Sequence, residues 1–179
     1  MTGELEVPGT IRIPVAVLAE RRPGSTPWAE WSWRAVEVLE DAPDLPPWTV
    51  LREEAGRTLF LAGRAEVELH PTDTPNYRDN LQAAQPLIWV VLREADAPPG
   101  LRLYTVTVDA GEAHLYADVG NDLLESLPMP ARLRAVVEAF VAQHHVERAF
   151  YKRRRDRADP EALGRREGGR RPPPPEDDA

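Results

Sequence analysis

Four places in the 179-residue chain hold side chains whose type and spacing suit chemistry. The first is His144-His145, where an imidazole near a helix end can ligate metal or carry protons. Adjacent helical residues point about 100° apart, so the two rings do not readily share one ion. The His-x3-His spacing of helical metal sites is absent. A packed, hydrogen-bonded His144 beside a His145 favoured by the helix dipole fits the pair equally. The second place is Glu66, Glu68 and His70, a row on one strand face that suits metal binding or acid–base work. Any half-solvated strand produces such a row. The third is Trp28, Trp31, Trp33 and Trp48, four of the five tryptophans. Tryptophan is enriched where proteins bind one another. Trp31 and Trp33, two apart, suit a core face. Trp28 and Trp48 stand beside prolines and are the candidates for exposure. The fourth is Phe150-Tyr151-Lys152-Arg153-Arg154-Arg155-Asp156-Arg157, aromatic and basic together, the form of a patch for an acidic partner or nucleic acid. A solvated tail anchored by Phe150 and Tyr151 has the same form. The expected partner-binding residues are therefore Trp28, Trp48, Tyr151, Lys152, Arg153, Arg154 and Arg155, with His144 and His145 as candidate functional histidines.

Composition limits what these residues can do. There is no cysteine, which removes disulfides, thiolate zinc sites, iron–sulfur ligation and a cysteine nucleophile. No phosphate-binding glycine loop and no nucleophile elbow is present. No metal and no cofactor is expected, and the sequence leaves any catalytic residue unknown. The net charge of −8 is unevenly spread. Residues 1–149 carry 13 basic and 23 acidic side chains, while residues 150–171 hold 9 basic and 4 acidic ones. An acidic body argues against binding a polyanion. The start of the chain lacks an apolar run of signal-peptide length. The longest apolar run, Pro86 to Leu92, is too short to span a bilayer. The expectation is a cytoplasmic protein that keeps away from membranes.

The elements that must position these groups follow from periodicity. Residues 11–19, 31–39, 48–54, 57–70, 87–92 and 101–108 read as strands. Pro14 marks the first as an edge or a bulge. In 57–70, Leu59, Leu61, Ala65, Val67 and Leu69 take the core side, with a bend or bulge at Gly63. In 31–39, Val36 and Val38 share a face. Ala55-Gly56 is a hairpin turn. Thr74-Pro75 starts a short helix with Tyr77 and Leu81 on one side. Asp109 with Glu112 has capping-box spacing and opens another. A further short helix starts near Asn121. Residues 130–146 form the longest helix, its stripe being Leu133, Val136, Val137, Phe140 and His144. The fold expected is α+β: a mostly antiparallel curved sheet or partly open barrel of about six strands, with short helices and a packed C-terminal helix. Residues 1–10 are expected to be a flexible N-terminus and 11–157 a single domain. The Arg/Pro-rich segment 158–179 cannot bury enough apolar surface to order itself.

Several segments in order carry a resemblance. They are Pro14-Val15-Ala16-Val17 with Glu20-Arg21-Arg22, Trp31-x-Trp33-Arg34, Pro47-Trp48-Thr49, Ala65 to His70, Tyr77 with Asn80-Leu81, Val90-Val91-Leu92-Arg93, Pro128-Met129-Pro130, and His144-His145-Val146 leading to Phe150-Tyr151-Lys152-Arg153. The chain resembles the domain of unknown function 3305 family of proteobacteria, over about residues 11–157. Genes of that family often lie beside those of molybdenum-dependent formate dehydrogenase. The resemblance implies a bacterial, non-catalytic accessory or assembly protein. It would bind a protein partner, either a formate dehydrogenase subunit or a maturation factor. It brings no catalytic residues. The alternatives left open by the residues are a small enzyme or a cofactor or metal carrier using His144 and His145, and a nucleic-acid binder using the basic tail.

Overall fold

The computed structural model describes residues 8–26, 29–41, 43–117, 120 and 122–146, all within one compact unit, Met1–Val146. Trp28, Tyr151 to Arg155 and the expected tail lie outside the described residues. Among the described residues there are seven strands in two antiparallel sheets. Sheet A contains β1 (Ile11–Pro23), β2 (Trp31–Leu39), β3 (Thr49–Glu54) and β4 (Arg57–Leu69) in the order β2-β1-β4-β3. Sheet B contains β5 (Leu87–Glu94), β6 (Leu101–Thr107) and β7 (Asp122–Pro128) in the order β6-β5-β7. Three helices complete the set, α1 (Thr74–Leu81), α2 (Ala110–Ala117) and α3 (Ala131–His144). The α+β class and the C-terminal helix are as expected. Among the described residues neither sheet closes into a barrel, and the strands number seven, against about six expected.

The additional strand is β7, where the sequence suggests a helix. Asp122-Leu-Leu-Glu-Ser-Leu-Pro has helix-favouring leucines and glutamate. It pairs with the buried β5 along its whole length, from Leu87↔Pro128 to Arg93↔Asp122. Strand pairing with a buried neighbour overrides local propensity here. At the far end of this ladder Arg93 donates two hydrogen bonds of 2.7 Å to the fully buried side chain of Asp122. That contact holds the Asp122 carboxyl below the usual carboxylate range. The same guanidinium lies 3.5 Å from the centre of the Tyr104 ring.

β1 is buried on both sides, with Val15 to Ala19 all in the core. Pro14 is accommodated because β2 pairs with β1 only from Ala16 onward, so Pro14 has one neighbour, Glu66 of β4. Register shifts sort the side chains. One lies between Val17 and Leu18, opposite Gly63 and Leu61, and leaves Ala62 as an extra residue. Leu59 and Leu61 thereby join Ala16, Leu18, Val36 and Leu39 on the outer face. Ala62, Val67 and Leu69 take the inner face with Val15, Val17 and Ala19. The bulge predicted at Gly63 is present (its φ is 152°), but it moves Leu59 and Leu61 to the side opposite Val67. A second shift, between Leu18 and Ala19, does the same to β2: Val38 joins the inner core and Val36 the outer one.

The inner face of sheet A meets Ile88, Val90 and Leu92 of β5 and the buried stripe Leu133, Val137 and Phe140 of α3. Val136, expected in that stripe, is 38% exposed. Glu40, from the loop after β2, accepts the N–H of Leu133 and so caps α3 from another part of the chain. Asp109 caps α2 through the N–H groups of Gly111 (2.7 Å) and Glu112 (3.2 Å). The hairpin at Ala55-Gly56 has φ of 45° and 82°, the left-handed pair that matches strand twist.

Candidate functional site

The two histidines at the end of α3 do not converge. The His144 ring lies 4.6 Å from that of Phe140 and is half-buried beside it. His145 turns toward α1, where Nε2 is 2.9 Å from Arg78 Nη1 and Nδ1 is 3.3 Å from Thr74 Oγ1. A guanidinium only donates, so Nε2 is the acceptor in that contact and Nδ1 carries the proton toward the threonine hydroxyl. One ring packs and the other links α3 to α1.

Glu66, Glu68 and His70 are brought together with groups far along the chain. They line a cavity of about 290 Å³ with Asp73, Tyr77, Asp109 and Glu112. His70 sits 3.0 Å from Thr10 Oγ1 and 3.5 Å from Glu68. Glu68 also accepts from Arg12 at 2.8 Å. Asn76 donates to both oxygens of Asp109 (3.0 and 2.9 Å), and Thr107 donates to Glu112 at 2.6 Å. The Tyr77 hydroxyl accepts the backbone N–H of His70 at 3.1 Å. Burial, with Asp73, Asp109 and Glu112 adding to it, pushes the Tyr77 phenol up to about 12. Such a cavity favours a cation by its charge. Among the described residues, however, no group of three or more His, Asp or Glu side chains is placed to hold a metal ion. Periodicity shows the Glu66–His70 row but not Asp109 or Glu112, which arrive through the pairing of the two sheets with α1 and α2.

A third assembly forms at one end of the inner face of sheet A. Trp33 packs edge-on to Trp48 (5.6 Å between ring centres) and tilted against Phe60 (5.3 Å). Trp48 and Phe60 are 6.2 Å apart. Trp48 is half-buried; its φ of 64° and its N–H bond to Leu61 fix it at the entry to β3. Trp31 is the exposed member, at 41%. The sequence suggests the reverse, with Trp31 interior and Trp48 outside. The Arg21 guanidinium stacks 4.3 Å over Trp31 and lies 5.5 Å from the Phe60 centre. Arg21 stands opposite Trp33 in one ladder and Thr58 in the other, so the three share a face. Arg21 and Phe60 escape a reading by periodicity. The sequence reads the first strand as residues 11–19, whereas β1 runs to Pro23. Simple alternation through Gly63 assigns the core side to Leu59 and Leu61 rather than to Phe60. Counting strand register through the bulges would find both.

Neither a curated protein nor a solved structure matches the chain. The model of the family described as protein of unknown function (DUF3305) matches residues 14–154, a span that holds Arg21, Trp31, Trp33, Trp48 and Phe60. On that match over most of its length, the chain belongs to the DUF3305 family.

Proposed function

We propose that this protein is a non-catalytic accessory or assembly factor that works by binding another protein, and that its partner is a subunit or maturation factor of a molybdenum-dependent formate dehydrogenase. The carrying observation is the aromatic assembly at the end of sheet A. There Trp31 is 41% exposed and Val50, across from Phe60 on the same face, is 50% exposed. Exposed tryptophan beside an arginine is the composition of binding hot spots. The placement of the histidines supports the same reading, since His144 packs on Phe140 and His145 joins two helices. The gene neighbourhood implied by family resemblance supplies the choice of partner. The test is affinity capture with the full chain from a bacterium making such a dehydrogenase. Recovery of a dehydrogenase subunit or maturation factor is expected. Repeated capture without either one would overturn the choice of partner.

A further inference from the structure

We infer that the open end of the inner face of sheet A receives an acidic segment of a partner protein, with one carboxylate seated on Arg21 and an adjoining apolar side chain laid over Trp31. This rests on the protein-binding reading and names the chemistry of what binds. Arg21 is the reason. Elsewhere the arginines commonly meet carboxylates, as Arg93 does with Asp122 and Arg64 with Asp44. Arg21 makes no ion pair among the described residues, although the body of the chain has a large excess of acid. Its hydrogen bond to the Thr58 hydroxyl is long, at 3.4 Å, and its buried Nε has no partner. Position comes from the rings instead, with Trp31 at 4.3 Å, Phe60 at 5.5 Å and Trp33 at 5.8 Å. A guanidinium stacked on indole is weakly hydrated and already oriented, so it takes a planar carboxylate through parallel N–H bonds at small entropic cost.

The occupant follows from charge and shape. One guanidinium on an aromatic floor matches one carboxylate flanked by apolar side chains. A phosphate chain would need several converging donors, whereas Arg21 presents a single planar fork that matches one carboxylate. Trp31 offers apolar surface for the flank of a peptide, not for a phosphate.

The experiment is a titration of the full chain, labelled with nitrogen-15, against a short synthetic peptide that alternates Glu with Leu. Controls carry Gln or Lys in place of Glu, and inorganic phosphate is added as a competitor. The indole signals of Trp31 and Trp33 are expected to shift with the Glu peptide. Arg21→Ala should weaken binding about tenfold or more, the size of a lost charge-assisted hydrogen bond. Arg21→Lys should fall between, and Trp31→Ala, at an exposed position, should weaken binding while the spectrum stays dispersed. Equal affinity for the Gln peptide overturns the inference, and so does tighter binding of the Lys peptide. Competition by millimolar phosphate as effective as by the Glu peptide makes this an anion site and not a peptide site. The Glu-against-Gln comparison uses the unaltered chain, so it stands even where a variant unfolds. If affinity capture with Arg21→Ala recovers the same proteins as the native chain and the titration is silent, this surface fails alone. If the titration succeeds and capture yields no dehydrogenase protein, the choice of partner fails alone.

Discussion

Tyr77 shows most directly how one side chain ties stability to pH. Its ring is 2% exposed and packs edge-on to Phe140 at 6.3 Å, while its hydroxyl faces Asp73, Asp109 and Glu112. Burial and those carboxylates hold the phenol protonated up to about 12, against the ordinary value of 10 in the unfolded chain. Above the ordinary value the unfolded chain loses this proton while the folded chain keeps it. The unfolded state then binds fewer protons, so stability falls as pH rises. Denaturant titrations should show a loss of stability that sets in near pH 10 and levels off near 12. In Tyr77→Phe most of that loss should vanish, leaving a smaller one from Tyr116, whose phenol burial also raises. At neutral pH the same variant should cost about 1 kcal/mol, because the His70 N–H loses its acceptor. The sequence shows Tyr77 as a core residue through its spacing from Leu81. Asp73 directly precedes its helix, but Asp109 and Glu112 come from α2 and its cap, so no local pattern announces their approach to Tyr77.

At the scale of elements, short segments are fixed by side chains that reach the backbone of others. Asn80 of α1 brackets Leu87 at the start of β5, donating to its carbonyl at 2.8 Å and accepting its N–H at 2.9 Å. It also donates to the carbonyl of Val108 at 2.9 Å, just before the cap of α2. Three elements thus share one amide. Asn80→Ala leaves buried backbone groups unpaired and should destabilise by roughly 2–4 kcal/mol in urea unfolding. Asn80→Asp should fare little better, since the carboxylate cannot donate to either carbonyl. The ends of these elements were partly legible. Thr74-Pro75 does open α1, preceded by a 3₁₀ turn at Pro71–Asp73, and Asp109 does cap α2. Ala55-Gly56 makes its hairpin as read. What alternation cannot convey is a bulge that reverses which side a residue takes, as at Ala62 and Val36, or a strand such as β7 that exists because a buried neighbour needs pairing.

Across the whole described unit, stability should be greatest where sheet B is deepest. β5 is paired on both edges, and Ile88, Val90, Val91 and Leu92 have no exposed surface. Amide hydrogen exchange of Val90 to Leu92 should therefore require global unfolding, whereas β3, half-buried or exposed throughout and paired on one edge, should exchange through local opening. Equal protection of β3 and β5 would contradict this ranking. Composition and the α+β order of elements were readable at this scale, but the division of the strands into two sheets was not, because it depends on long-range pairing. The order of those strands also bears on synthesis. Sheet A is complete by Leu69, yet the residues that cover its inner face come from β5 at Leu87 onward and from α3, which ends at His144. A chain emerging from the ribosome thus carries Val15, Val17, Val67 and Leu69 uncovered while half of its unit is still being made. The apolar face that becomes the core is, for that interval, a sticky surface, and chaperones that hold nascent chains have a natural target in it.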